Sequence, residues 1–260
     1  MPMNHKAIAN NLWEAEQKQF TLNPLTVDYP DMTIQDAYAI QLENVRKRVE
    51  NGERIIGMKI GLTSEGMQKL MKVSEPDYGH LFDNMLLLER ENCSMSGLIQ
   101  PKIEGELTFC LNKDLKGPGI TVADVYEATA WVTPSIEVVD SRIQNWQIAL
   151  IDTVADNASA ARFKLGGKMC KIEDIDMRLT GMTIEKNGEL VASGTTAEVW
   201  GNPAASVAWL ANKLSEFGIF LKAGSLVMAG AVTAAPIAQL GDVFTVSFHN
   251  MGSVSIKFVE

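Results

Sequence analysis

Cysteine and histidine are both scarce in this chain of 260 residues, which contains three of each. The six residues are scattered along the sequence: His5, His80, Cys93, Cys110, Cys170 and His249. Cysteines that are few, widely spaced and odd in number argue against a disulfide framework and against a cysteine-rich zinc site. A metal ion, if this protein binds one, must therefore be held by oxygen ligands.

Long apolar runs and an excess of basic charge are also missing. No stretch approaches the roughly 20 apolar residues that a membrane-spanning helix needs. The first 20 residues are polar and lack the apolar centre of a signal peptide, which predicts a cytoplasmic protein. The chain has 23 Lys and Arg against 32 Asp and Glu, a formal net charge of −9. Because an acidic surface repels phosphate groups, we expect neither a nucleic-acid partner nor a membrane partner.

Apolar residues make up 46% of the chain, enough to form one substantial core. The first part of the sequence predicts two amphipathic helices, one over 6–20 and one that begins after Thr33, with Asp36 placed for a capping box. The apolar stripe of the second helix consists of Tyr38, Leu42, Val45 and Val49. We therefore predict an N-terminal helical segment, residues 1–53, that packs on the main body.

From residue 54 the apolar residues alternate with a period of two, which predicts strands. The predicted strands are 54–63, 85–89, 101–112, 133–142, 224–230, 242–249 and 253–259, with a hairpin over 178–194. A short helix after Ser64, with Met67, Leu70 and Met71, and a loop over 74–84 lie between the first two strands. Two further helices follow Thr121 and Asn202. Since no regular strand–helix–strand alternation is present, we predict an α+β fold in which residues 54–260 form one β-rich core.

Two glutamates stand two residues apart in the predicted strand 101–112. Glu104 and Glu106 therefore share one face, with Cα atoms about 6.5–7 Å apart, close enough to bind one cation. Glu137 lies among apolar residues in another strand, where an unpaired carboxylate would be costly to bury. Carboxylate ligands favour Mg²⁺ or Mn²⁺. The alternative for the glutamate pair is a solvated strand face.

Two more charged residues are candidates for chemistry. Lys59 lies between two glycines on the strand face opposite Met58 and Ile60. It could line a cleft, hold a carboxylate and exchange a proton, or it could be an edge lysine that reaches water. Asp77 lies in the predicted loop, and an ordinary turn residue is its alternative role.

Nine segments carry a resemblance that covers nearly the whole chain. They are GMKIGLTS (57–64), EPDYG (75–79), QPKIEGEL (100–107), PSIEVVDSR (134–142), DTVADNAS (152–159), KNG (186–188), NPAASVAWLANKL (202–214), KAGSLVMAGAVT (222–233) and GSVSIKF (252–258). In this order they resemble the hydratase/decarboxylase branch of the fumarylacetoacetate hydrolase superfamily. The resemblance implies a mixed, rolled β-sheet core and a homo-oligomer built on pentamers. It also implies Mg²⁺ or Mn²⁺ held by Glu104, Glu106 and Glu137.

The resemblance also implies an activity in the meta-cleavage degradation of aromatic compounds, the hydration of 2-hydroxypenta-2,4-dienoate (2-oxopent-4-enoate) to 4-hydroxy-2-oxopentanoate. In this interpretation Lys59 binds the substrate carboxylate and exchanges a proton, and Asp77 activates water or relays the proton. Asp156, Asn157 and Ser159 resemble a family segment near the pocket, which implies that they contact the substrate.

Three alternatives are open. The first is 4-oxalocrotonate (2-oxo-3-hexenedioate) decarboxylase: Asp77, Gly105 and DSRIQNWQI (140–148) resemble hydratases, whereas AVTAA (231–235) resembles decarboxylases. The second is a non-catalytic partner subunit of a hydratase–decarboxylase complex, since such relatives associate. It would predict loss of the three glutamates or of Lys59, and all are present. The third, hydrolysis of a carbon–carbon bond, would need a His–Glu pair, and the histidines are poorly placed for that.

Overall fold

The computed structural model describes residues 3–64, 66, 68, 69, 73 and 75–260. Its N-terminal part contains three helices, α1 (His5–Lys18), α2 (Leu25–Asp28) and α3 (Ile34–Glu50). Helices α1 and α3 confirm the two predicted helices, and Thr33 and Asp36 form the predicted capping box. No helix in the described part of the chain is long and apolar enough to cross a membrane.

The buried face of α3 differs in part from the predicted stripe. Tyr38 and Val45 are buried, but Leu42 and Val49 are 39% and 47% exposed. The helix instead turns Gln41 towards the core, where its amide Nε2 donates to two backbone carbonyls, those of Tyr78 (3.0 Å) and Val154 (2.7 Å). A polar side chain with these hydrogen-bond partners is buried at little cost in free energy. The apolar stripe in the sequence could not predict this buried glutamine.

Twelve strands in the described residues form two sheets. The strands are β1 (Ile55–Gly61), β2 (Asp77–Phe82), β3 (Leu86–Leu87), β4 (Cys93–Ser94), β5 (Lys102–Leu111), β6 (Thr129–Val139), β7 (Ala160–Leu165), β8 (Gly181–Lys186), β9 (Glu189–Thr195), β10 (Leu226–Met228), β11 (Val243–Phe248) and β12 (Gly252–Val259). The seven-stranded sheet has the order β2-β1-β10-β5-β6-β7-β3 and curls into a half-barrel. The five-stranded sheet has the order β4-β12-β11-β8-β9.

The two sheets confirm the predicted mixed, rolled β core. Strands β1 and β10 are parallel, as are β3 and β7, while β5 is antiparallel to both β10 and β6. Three helices lie between the later strands: α4 (Val122–Ala128), α5 (Leu150–Ala155) and α6 (Pro203–Ser215). The predicted hairpin is β8–β9, and Asn187 and Gly188 at its tip have φ of 55° and 83°, as a primed turn requires.

The prediction of a loop over 74–84 is wrong for residues 77–82, which form the fully buried strand β2. This strand pairs antiparallel with β1, so that Asp77 lies opposite Gly61. Gly79 does not form a turn. It allows the backbone of Asn157 to approach closely, since a Cβ at position 79 would lie 2.4 Å from the backbone oxygen of Asn157. Met67, Leu70 and Met71, which belong to the predicted short helix, lie outside the described residues.

The N-terminal helices share one hydrophobic core with the strands. Ile8, Leu12 and Tyr38 pack in the same buried cluster as Met58 and residues of the second sheet. We propose that residues 1–53 are a helical segment packed on a β-rich core of residues 54–260.

We expect acid to destabilise the protein through His80. This residue is buried in β2 with Nδ1 3.0 Å from Gln41 Oε1, and burial lowers the pKa of its imidazole to about 4. The unfolded chain takes up this proton near pH 6.5, so between these values its His80 binds more protons than that of the folded protein. The contribution of His80 to stability therefore falls as the pH falls. The loss is about 3 kcal/mol over the whole interval.

Denaturant unfolding at a series of pH values from 7 to 4 measures this dependence. The His80→Gln variant should show a shallower loss of stability, whereas His249→Gln, which changes an exposed histidine, should follow the wild-type curve. Identical acid dependence in the His80 variant and the wild type would show that another group is responsible.

Candidate metal centre

The pairing of β5 with β6 brings three glutamates together. Glu104 lies directly opposite Glu137. Two residues further along β5, Glu106 lies opposite Ser135, so its side chain is on the same face of the sheet. One oxygen from each of the three carboxylates lies within 4.8 Å of the other two. The structure thus gathers on one sheet face the three residues that the sequence suggested as ligands.

These carboxylates have few hydrogen-bond donors. Glu106 and Glu137 are fully buried. Glu106 Oε2 accepts a hydrogen bond from the backbone N–H of Gly230 at 2.9 Å, but its Oε1 and both oxygens of Glu137 have no hydrogen-bond partner among the described residues. Buried acceptors without donors are costly. A divalent cation between the three carboxylates would satisfy them, so the donor set fits Mg²⁺ or Mn²⁺.

The electrostatics of the three groups agree with this interpretation. Removal from water raises the pKa of all three carboxyls and is the largest cause in each case. The pKa of Glu137 rises to about 7 although Lys59 lowers it. That of Glu106 is raised further by the negative charge of its two neighbours. A bound cation would lower the pKa of these carboxyls, because it favours their ionised form.

Lys59 is a buried cation beside this cluster and not an edge lysine. Its Nζ donates to the backbone oxygen of Ala158 at 3.0 Å and forms an ion pair with Glu137 Oε1 at 3.4 Å. Burial lowers the pKa of Lys59, but the surrounding carboxylates, Glu137 first and then Glu104, outweigh burial and raise it. The side chain is therefore a charged ammonium group at the edge of the cluster, in contact with Glu137.

Asp77 approaches the same point from β2. A Cβ on Gly61 would lie 2.2 Å from Asp77 Oδ1 and 3.5 Å from Lys59 Nζ, so the glycine makes room for both groups. Asp77 Oδ2 accepts a hydrogen bond from Thr153 Oγ1 at 3.1 Å, while its buried Oδ1 has no partner in the described part of the chain. Burial raises the pKa of this carboxyl and Lys59 lowers it. One oxygen is thus free to accept a proton.

The turn that contacts Lys59 has an unusual backbone. Asn157, Ala158 and Ser159 have φ of 52°, 49° and 57°, a left-handed conformation that costs free energy in residues other than glycine. The side-chain amide of Asn157 forms two hydrogen bonds with the backbone of His80. Its Oδ1 accepts from the His80 N–H at 2.8 Å, and its Nδ2 donates to the His80 carbonyl at 3.0 Å. The Ser159 hydroxyl is buried without a hydrogen-bond partner among the described residues.

Asp156 is engaged with Arg142 and not with the glutamate cluster. Its Oδ1 accepts from the guanidinium Nε of Arg142, and its Oδ2 accepts from the Arg142 backbone N–H at 2.9 Å and from Ser141 Oγ at 3.3 Å. The side chains of Asp156 and Asn157 thus form hydrogen bonds within the protein, whereas the Ser159 hydroxyl has no partner among the described residues. Sequence reasoning missed Arg142, although it lies in the quoted segment PSIEVVDSR.

Comparisons with known proteins relate this chain to one enzyme family. Residues 72–259 match the fumarylacetoacetate (FAA) hydrolase C-terminal family. A 2-hydroxyhexa-2,4-dienoate hydratase of Comamonas testosteroni is 45% identical over 96% of this chain and 95% of that protein. A 4-oxalocrotonate decarboxylase of Pseudomonas putida is 44% identical over 97% of this chain and 96% of that protein.

Two solved structures extend the comparison to the fold. The 4-oxalocrotonate decarboxylase of Pseudomonas putida G7, complexed with magnesium and adipate, superposes with a TM-score of 0.95 at 41% identity, covering 98% of this chain and 97% of that one. The fumarylpyruvate hydrolase of Pseudomonas aeruginosa, in complex with Mn²⁺ and pyruvate, shares the fold at a TM-score of 0.63 and 15% identity, covering 78% of this chain and 88% of that one. This chain belongs to the fumarylacetoacetate hydrolase C-terminal family.

Proposed function

We propose that this chain is a divalent-metal-dependent hydratase. It adds water to 2-hydroxypenta-2,4-dienoate (2-oxopent-4-enoate) and forms 4-hydroxy-2-oxopentanoate in the meta-cleavage degradation of aromatic compounds. The observation that carries the proposal is Asp77, a buried carboxylate with one free oxygen next to Lys59. Addition of water requires a group that accepts a proton from it, whereas loss of CO₂ does not.

In this proposal Glu104, Glu106 and Glu137 hold Mg²⁺ or Mn²⁺, and the buried acceptors described above support that assignment. When bound, the cation supplies Lewis acidity and a template that orients the carboxylate and 2-oxo group of the substrate. The glutamates contribute negative charge in a buried site, which makes the site selective for a cation of high charge.

Lys59 and Asp77 carry out the proton transfers. The Lys59 ammonium binds the substrate carboxylate and exchanges a proton during conversion of the dienol to the conjugated 2-oxo acid. Asp77 Oδ1 accepts a proton from the attacking water as the water oxygen bonds to C4 and the C3–C4 double bond becomes single. Asp77 then returns this proton to C3, which completes the addition and restores the carboxylate. The Ser159 hydroxyl contacts the substrate. General acid–base catalysis of this kind increases the reaction rate by roughly 10²–10⁴-fold.

The second candidate is 4-oxalocrotonate decarboxylase. Two observations favour it: decarboxylases are as similar to this chain as hydratases are, and AVTAA (231–235) resembles the decarboxylase pattern. This segment follows Gly230, whose N–H donates to Glu106, so it lies close to the metal centre. The same cation and lysine would serve decarboxylation, and Asp77 would then have no role in proton transfer.

We further propose that the enzyme is a cytoplasmic homo-oligomer built on pentamers and associates with a related hydratase or decarboxylase of the same pathway. A purely non-catalytic role is disfavoured, because Lys59 and the three glutamates are all retained in one cluster.

We expect the Glu106→Gln variant to fold but to lose most metal affinity and nearly all turnover. The amide keeps an oxygen for the Gly230 N–H but removes the charge that attracts the cation. Without metal this variant should be as stable as the wild type or more so, because it removes buried repulsion. Addition of Mn²⁺ at about 100 times its Kd should stabilise the wild type by about 2.7 kcal/mol and the variant much less.

Thermal unfolding with and without Mn²⁺, together with calorimetric titration, measures these differences. Glu185→Gln, which changes an exposed glutamate on β8, is the matched control and should behave like the wild type. Unchanged activity of the metal-stripped enzyme in EDTA would contradict the metal assignment.

The Asp77→Asn variant tests the hydratase proposal itself. We expect hydration to fall by roughly 10²-fold or more, the scale for loss of a general base. Conversion of the dienol to the 2-oxo acid should fall much less, because it depends on Lys59 and the glutamates. The two steps are measured separately, by the loss of dienol absorbance and by the formation of the hydroxy acid. Equal losses in both steps, or no loss of hydration, would rule out the role given to Asp77.

A further inference from the structure

Arg142 is a buried arginine that donates most of its hydrogen bonds to one residue, Asp156. Its guanidinium donates through Nε to the Asp156 carboxylate and through Nη2 to the Asp156 backbone oxygen, at 2.6 Å for the latter. Nη1 donates to the backbone oxygen of Asp140 at 2.7 Å, and the Arg142 backbone N–H donates to Asp156 Oδ2. The side chain and the backbone of Asp156 are therefore both fixed by Arg142.

Asp156 is the residue from which the left-handed turn 157–159 begins. Its backbone oxygen also accepts the N–H of Ser159 at 2.9 Å, which closes the turn. Three consecutive residues other than glycine in a left-handed conformation are unfavourable unless neighbouring groups hold them there. Arg142 supplies such contacts at the start of the turn, and the Asn157 amide supplies them at the strand β2 side.

Residues 157–159 also fix the position of the Lys59 ammonium. The Ala158 carbonyl accepts the hydrogen bond from Lys59 Nζ at 3.0 Å, and the other close partner, Glu137, is at 3.4 Å. A shift of the turn would therefore move the ammonium relative to the glutamates. Among the described residues no hydrogen bond or ion pair joins the Arg142 side chain to Lys59 or to the three glutamates.

We infer that Arg142 is a positioning residue, which holds the Lys59 ammonium in its reactive place through Asp156 and the turn 157–159. The inference rests on the proposed role of Lys59 in catalysis. The buried Arg142–Asp156 pair thus acts on the site only through the turn that it holds in place.

The Arg142→Lys variant tests this inference, since it keeps the charge but cannot make all three guanidinium hydrogen bonds. We expect kcat to fall by roughly 10- to 100-fold, the effect of a small misplacement of a reacting group. Mn²⁺ affinity should stay unchanged, because the glutamates lie on β5 and β6. The amide of His80 should exchange its hydrogen faster in the metal-free protein, because it donates to Asn157 in the turn. Amides of β11 and β12 should keep their protection.

Two further variants complete the experiment. Arg48→Lys changes a partly buried arginine of α3 that pairs with Glu16 and Glu53, and it should keep wild-type turnover. Asn157→Ala removes the other support of the turn without touching the buried ion pair. It should reproduce the fall in kcat and the faster exchange at His80, even where Arg142→Lys does not fold.

Wild-type kcat in a folded Arg142→Lys variant would overturn the inference. So would a loss of Mn²⁺ affinity in proportion to kcat, or faster exchange in all strands alike. The Lys59→Met variant separates this outcome from failure of the proposed function: if it is inactive while Arg142→Lys is fully active, the inference alone is wrong. If Lys59→Met is itself fully active, the proposed role of Lys59 is wrong.

Discussion

The concentration of negative charge on one buried sheet face is the constraint on which the rest of the structure depends. One oxygen of each of three carboxylates lies within 4.8 Å of the other two, and the Lys59 ammonium forms an ion pair with one of them, Glu137. One positive charge does not balance three negative ones in a region of low dielectric constant. This imbalance supports the proposal that the cluster binds a divalent cation, and a bound cation would account for buried groups that otherwise cost stability.

Close approaches of backbone to side chain make the cluster possible. Gly61 leaves room for Asp77 and Lys59, and Gly79 leaves room for the turn that binds Lys59. Gly230 has φ of 118°, and a Cβ there would lie 2.2 Å from Thr63 Oγ1; its N–H is the donor to Glu106. A strained turn and several crowded glycines therefore surround the reactive groups, as is common where a site is organised in advance of substrate binding.

The sequence predicted local features of this site better than distant ones. The period of two in strand 101–112 placed Glu104 and Glu106 on one face, but nothing local showed that Glu137 lies opposite Glu104, because strand register depends on the whole sheet. That expectation came from the family resemblance. The residues of EPDYG (75–79) are typical of a turn, and they therefore predicted a loop where the structure has a buried strand. Gly79 is needed there for close packing against Asn157, not for a turn. Arg142 was missed because its partner is 14 residues away in sequence and lies beyond a bend of the chain.

In the proposed mechanism, hydration and decarboxylation of closely related 2-oxo acids would use the same cation and the same lysine, and would differ in the need for a base. Because we propose Asp77 as that base, the substrate preference is the direct test. Purified protein with Mg²⁺ is offered 2-hydroxypenta-2,4-dienoate and, separately, 4-oxalocrotonate, and the products of both reactions are identified. We predict that the first compound yields 4-hydroxy-2-oxopentanoate and that the second releases no CO₂. Formation of CO₂ and 2-oxopentenoate without hydration would contradict it.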